Sequence, residues 1–273
     1  VVTIPDMQYR RYPEDLTFLA RLVTDILVRM AASRCQRVLA ISAFSRKEIL
    51  TFTHAPEKSV RAVHLAADPA FAHPIPADIK RQRLKRLLSF EHPYILCVAN
   101  TYPHKNVHAL IEAFGQIMEK ISHQLVLVGK PRLGEPEMQK ALCRVPDSSR
   151  ILRLLQVDYE DLFALYQGAD LFVFPSLYEG FGLPVLEAMM SGVPVLTTRC
   201  GSIPEVGSDK VCYFDHTSST DLARQMMQII FWKNDYRKIR IMEAQKHACQ
   251  FSWNQTAVKT IESMKQATVA QEQ

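Results

Sequence analysis

Two carboxylates eight residues apart, Glu179 and Glu187, flank the turn Gly180-Phe181-Gly182-Leu183-Pro184, and Lys105 stands at the head of a second segment, 97-CVANTYPHKNVHALIEAF-114. Proline suits the first helical position, where its missing N–H has no partner to lose, so Pro184 predicts that the turn feeds a helix. Glycines at 180 and 182 allow positive φ and a close approach of a ligand to the main chain. Free N–H groups and the positive end of the helix dipole would then face an anion. On this reading Glu187 lies in the first turn, where its two oxygens suit a ribose diol, and Glu179, across the turn, reaches sugar hydroxyls. Lys105 adds a point charge to a second dipole end, which is how a diphosphate is neutralised. Each residue alone also fits a plain structural role: a dipole-complementing Glu187, a solvated Glu179, an exposed lysine near a cap. Their joint placement at strand ends points to a ligand site.

The elements that must position them alternate. Strand 94–100 precedes helix 106–120, strand 124–130 precedes helix 135–145, and strand 149–155 precedes helix 159–168, with Asp158 as its N-cap. Strand 170–175, helix 184–191, strands 193–198 and 211–215, and helices to about residue 267 follow. Short Val/Ile/Leu runs alternating with helices predict βαβ units and a parallel sheet covered on both faces, with ligands beyond the carboxyl ends of its strands. Upstream, strand 1–4, helix 14–34, strand 37–42 and a helix from Ser45 form a first unit. Residues 66–93, rich in proline and carrying 80-KRQRLKR-86, read as a connector, with a boundary near residue 85. The chain opens inside a strand, which reads as a truncation.

The 273 residues are 48% hydrophobic and 22% charged with net charge +5, a globular balance whose mild basic bias suits anionic small molecules or a membrane surface. Basic residues do not cluster with aromatics on any element, which argues against nucleic acid. Residues 10–34 and 79–90 are amphipathic and basic, a composition shared by interfacial and ordinary inter-domain helices. Six cysteines form no C-x-x-C pair and read as buried thiols of a reduced, cytoplasmic compartment. No apolar run approaches the ~18–20 residues of a spanning helix. No metal-ligand spacing exists, and His104 and His108 read as surface groups.

The run 170-DLFVFPSLYEGFGLPVLEAMMSGVPVLTT-198, followed by 200-CGSIPEV-206, resembles the E-x7-E region of the retaining glycosyltransferases of family 4, and the resemblance extends over nearly the whole chain. It implies an α/β chain of GT-B fold: two Rossmann-like doubly wound domains, the first incomplete. Residues 1–85 would be the remaining part of an N-terminal acceptor domain and linker, and 86–250 the nucleotide-sugar donor domain. Residues 251–273 would form a helix packing back toward the first. By the same resemblance Glu187 binds the nucleotide ribose, Glu179 contacts donor-sugar hydroxyls, and Lys105 binds the diphosphate. The amides from Gly180 through Phe181, Gly182 and Leu183 line the sugar-phosphate end, and the backbone near Val157 holds the base. Asn100 stands where many members carry a second basic residue, for which Arg46 is a weak substitute. Pro5-Asp6 stands where many have His-Asp.

The implied function is transfer of a hexose, with retention, from GDP-mannose or a UDP- or dTDP-hexose to a sugar or lipid-linked acceptor, without metal or cofactor. It would serve bacterial cell-surface polysaccharide or glycolipid synthesis, in the cytoplasm or peripheral to the inner face of the membrane. Rival readings are a non-catalytic partner subunit that retains the donor fold, and another GT-B nucleotide-sugar enzyme such as an epimerase or sugar-phosphate synthase.

Overall fold

Short apolar runs closed by polar loops become parallel strands buried on both faces. In a computed structural model describing residues 1–269, they assemble into two sheets. The first sheet takes β1 (Val2–Ile4), β2 (Val38–Ala40) and β3 (Val60–Ala62) in that spatial order, with α1 (Gln8–Arg11), α2 (Phe18–Arg34) and α3 (Ala43–Thr53) between them. Helix α4 (Ala77–Leu87) leads to the second unit, which runs β4 (Tyr94–Val98), α5 (Val107–Ile117), β5 (Gln124–Val128), α6 (Glu135–Leu142), β6 (Ile151–Leu154) and α7 (Tyr159–Gly168). It continues through β7 (Leu171–Phe174), α8 (Leu183–Met190), β8 (Val195–Thr197), α9 (Ile203–Gly207) and β9 (Cys212–Tyr213) to α10 (Ser219–Ile230), α11 (Asn234–Ala248) and α12 (Trp253–Val269).

The second sheet has the order β6-β5-β4-β7-β8-β9, all parallel. The chain therefore winds outward from β4 to β6, returns to the centre, and winds outward again from β7 to β9. The reversal lies between β4 and β7, where Ile95 pairs with Leu171 and Leu96 with Phe172. Loops leaving these two strands diverge, which opens a crevice at their carboxyl ends. Strand alternation sends Leu96, Phe172 and Phe174 to one face with α7, α8 and α11, and Ile95, Cys97, Leu171 and Val173 to the other with α5 and α10. The sheet floor under the crevice is thus held rigidly from both sides.

Several expectations are corrected. The helix expected from residue 14 starts at Phe18, because Pro13–Asp15 forms a separate 3-10 turn and Thr17 accepts from the Ala20 N–H. The connector 66–93 contains structure: a 3-10 turn at Pro69–Ala72 and helix α4, within which the expected boundary near residue 85 falls. Arg86 of α4 binds both oxygens of Asp161 at 2.7 and 2.6 Å, Arg83 binds Glu160, and Leu84 and Leu87 pack against the main core. These contacts turn the leucines of α4 toward α7 and leave Arg81 and Lys85 in solvent. Strand β3 had no sequence signal of its own. Burial accounts for Cys97 but not for Cys143 and Cys249, which are exposed. Helix α12 returns to the first unit: Thr256 donates to the His64 carbonyl at 2.7 Å and Arg61 pairs with Glu262 at 2.9 Å. Residues 270–273 of the expected C-terminal segment lie outside the described residues. Among the described residues no helix is long and apolar enough to cross a membrane.

Candidate functional site

Lys105 leaves the β4 loop from a 3-10 turn (Pro103–Lys105), and Asn106, at φ 54°, then redirects the chain into α5. This bend aims the lysine into the crevice. Its Nζ donates to Glu179 Oε1 at 2.5 Å and lies 5.6 Å from the centroid of the Phe174 ring. Glu179 comes from the loop after β7, so the two side chains leave the two strands that flank the winding reversal. Both are largely shielded, with side-chain exposures of 19% and 11%. Such a pair places one cation and one anion side by side at the crevice.

Beyond Glu179 the turn runs into α8. Gly182 sits at φ 98°, a conformation that other residues reach only with strain, and serves as N-cap. The helix begins at Leu183, so Pro184 is the second helical residue and not the first, and Glu187 lies past the first turn and not within it. Dipole compensation is therefore not the role of Glu187. Its carboxylate accepts from the Tyr166 hydroxyl at 2.9 Å. Burial raises its pKa above the usual carboxylate range, and the Tyr166 bond opposes that rise only in part. A carboxylate so held keeps one oxygen unused by protein donors among the described residues, with free capacity to accept a further hydrogen bond. Among the described residues the backbone N–H groups of Gly180, Phe181, Gly182 and Leu183 meet no acceptor. Consecutive unpaired amides at a helix N-terminus form an anion cradle.

The first unit closes over this turn. Tyr178 is buried and accepts from the Met7 N–H at 3.1 Å, while Glu48 of α3 takes Arg11 at 2.6 Å and the Tyr178 hydroxyl at 3.4 Å. Asp6 lies against Gly180, and burial raises its pKa against the opposing pull of the Gln8 N–H and the Lys105 charge. Gly180 does not use the positive φ open to it; a Cβ there would stand 2.7 Å from Asp6 Oδ2 and 2.9 Å from Asp6 Cβ. Close approach is what demands glycine. Gly180→Ala should push the two units apart and cost about 1–3 kcal/mol, as over-packed sites do, read as a lower midpoint in urea unfolding.

The remaining expected residues are placed as follows. Asn100 is exposed, and its Oδ1 accepts from the Lys130 N–H at 2.8 Å, so it ties down the β5–α6 loop. Val157 is half-buried on the margin of the core that includes Phe181, Val185 and, at its edge, Leu183. Arg46 does not reach the crevice: its guanidinium binds the Val60 carbonyl and Glu57. Asp158 holds the N-cap position of α7 without a side-chain cap bond. His104 is not a surface group; it is 1% exposed, packed between Tyr12 and Tyr102 and 3.2 Å from Asp15. Burial and then the Lys105 charge push its pKa down to about 3, so it is neutral beside the ion pair. His108 is half-buried on α5. Sequence reasoning missed Tyr166, Tyr178, Ser45 and Glu48. Tyr178 lies inside the motif run, but none of the four was singled out by its type or spacing.

The family described as glycosyl transferases group 1 matches residues 78–247, more than half of the chain. The O-antigen chain mannosyltransferase B of Escherichia coli is 31% identical over 230 residues, covering 84% of this chain and 60% of that protein. An α-(1→4)-mannosyltransferase of Mycolicibacterium hassiacum is 27% identical over 238 residues, covering 85% of this chain and 54% of its own. The chain thus spans 60% or less of the length of these curated relatives. Among solved structures, Anabaena HepE in complex with UDP-glucose superimposes with TM-score 0.81 at 21% identity over 97% of this chain and 72% of that one. Sucrose-phosphate synthase from Thermosynechococcus elongatus gives TM-score 0.81 at 20% identity over 98% and 68%. The fold is GT-B, and the chain belongs to the group 1 glycosyltransferase family.

Proposed function

We propose that the crevice between the β4 and β7 loops holds a nucleotide-diphosphate hexose, and that the whole protein transfers the hexose to an acceptor hydroxyl with retention of configuration. The observation that carries this reading is the meeting of Lys105 and Glu179 at the winding reversal, beside four consecutive unpaired amides and the buried Glu187. On this reading Lys105 exchanges Glu179 for the diphosphate, and the Gly180–Leu183 amides take its remaining charge. Both stabilise the leaving group with donors already in place. Glu179, released, accepts from sugar hydroxyls, while Glu187 accepts from the ribose diol and the backbone near Val157 faces the base. Front-face attack then retains configuration: the acceptor oxygen bonds to the anomeric carbon, the bond to the diphosphate breaks, and the acceptor proton passes to the departing phosphate oxygen.

Residues 86–250 would serve as the donor-binding domain, 1–85 as part of the acceptor domain and linker, and 251–273 as the helix returning to the first unit. The mannosyltransferase relatives favour mannose as the transferred hexose, and the O-antigen enzyme favours cell-surface polysaccharide as product; the donor would then be GDP-mannose, used on the cytoplasmic side of the membrane. Incubation with GDP-mannose, UDP-glucose or a dTDP-hexose, followed by phosphorus and proton NMR, tests this. One donor should release its nucleoside diphosphate, with the sugar first appearing in its original anomeric configuration. Binding of a donor without turnover in the full-length protein would favour the partner-subunit reading instead.

A further inference from the structure

The segment Cys200–Val206, prominent in the sequence, has no part in the donor contacts described above. It bridges the two units instead. Glu205, on α9, accepts from the N–H groups of Ala43 at 2.8 Å and Phe44 at 2.6 Å, and lies 3.2 Å from His64 Nε2. Ala43 and Phe44 are the first two residues of α3, whose amides have no partner within their own helix. Ser42 caps the third, Ser45 N–H, at 2.9 Å. A carboxylate from one unit thus completes the helix N-terminus of the other, favoured also by the helix dipole.

The same two elements grip the donor turn. The Ser45 hydroxyl, fully buried, donates to the Gly180 carbonyl at 3.0 Å. Ser202, three residues before Glu205, donates from its N–H and hydroxyl to the Glu179 carbonyl at 3.1 and 2.9 Å. Consecutive carbonyls of the turn are therefore held from two sides, and Glu205 joins the two grips. His64 and the two amides outweigh burial and keep the Glu205 carboxyl below its usual range, so it is ionised when it docks α3.

We propose that Glu205 is a positioning residue that docks the first unit onto the Glu179–Leu183 turn and so fixes the turn's carbonyls; this rests on the reading of that turn as the sugar-phosphate site. Hydrogen exchange by mass spectrometry on Glu205→Ala, Glu205→Gln and Ser45→Ala, with GDP and UDP titrations alongside, tests it. Glu205→Ala should speed exchange at residues 43–46 and also, by about tenfold or more, at 5–9 and at the amides that bond to the turn, Val185, Leu186 and Ser202. Its nucleoside diphosphate affinity should fall by about two- to tenfold, less than for loss of Lys105, because the Gly180–Leu183 amides are loosened while Lys105 and Glu187 are kept. Ser45→Ala should speed exchange at Val185, Leu186 and Ser202 while 43–44 stay protected, and Glu205→Gln, keeping one acceptor oxygen, should fall between. Acceleration confined to 43–46 would reduce Glu205 to a helix cap and overturn the proposal, as would parent-like exchange at Val185, Leu186 and Ser202 in Ser45→Ala. Should Glu205→Ala not fold, the other two variants decide the matter in the same way. Coupled exchange without nucleoside diphosphate binding by the parent chain would uphold the docking role and overturn the donor reading.

Discussion

Lys105→Ala should weaken nucleoside diphosphate binding by about 100-fold while barely changing affinity for the monophosphate. A hydrogen bond to a charged group contributes roughly 1.5–3 kcal/mol, or about 10–100-fold in affinity. The larger end applies here because removal of Lys105 also leaves the shielded Glu179 carboxylate without its partner at 2.5 Å, facing the incoming anion. Glu179→Gln gives the opposite sign. It frees Lys105 for the diphosphate, so binding should hold or tighten while transfer falls. Calorimetric titration of both variants separates a clamp from a structural ion pair, since a structural pair would lower both affinities through misfolding or leave both unchanged.

Glu187→Gln should lower nucleotide affinity by about tenfold, the loss expected when one charged acceptor becomes neutral, and yet leave the protein as stable as before or more so at neutral pH. Burial raises the pKa of Glu187 in the folded chain, so the folded state favours its protonated form. A group with a raised folded pKa contributes stability below its unfolded pKa, and that contribution is lost as pH rises through the folded value. Glutamine has no such dependence and can still accept from Tyr166, whose hydroxyl is fully buried. The difference in thermal midpoint, variant minus parent, should therefore grow from about pH 4 to about pH 7. A variant that is less stable at neutral pH would show that the carboxylate serves the fold and not a ligand.

The strands and their order of alternation were legible because buried parallel strands leave uninterrupted apolar runs, as in Tyr94–Val98 and Leu171–Phe174. Placing Glu179 and Lys105 in strand-to-helix loops followed directly. The depth of Glu187 in its helix did not, because Gly182 takes the cap and pulls Leu183 into α8, a choice made by backbone geometry. β3 escaped because three residues including Arg61 form no apolar run, and its partner β2 supplies the pairing. The need for glycine at 180 is set by Asp6, distant in sequence, and the burial of His104 by the Pro13–Asp15 turn folding over it. Local patterns placed the loops of the second unit that carry Lys105 and Glu179; contacts between units were beyond them.

The most direct test of the donor site is a calorimetric panel of GDP, UDP, dTDP and ADP against the parent chain, Lys105→Ala and Glu187→Gln. The structure predicts that one diphosphate binds the parent chain and that both variants lose affinity for it, Lys105→Ala the more severely. Parent-like affinity in both variants would contradict the placement of the donor at the β4–β7 crevice.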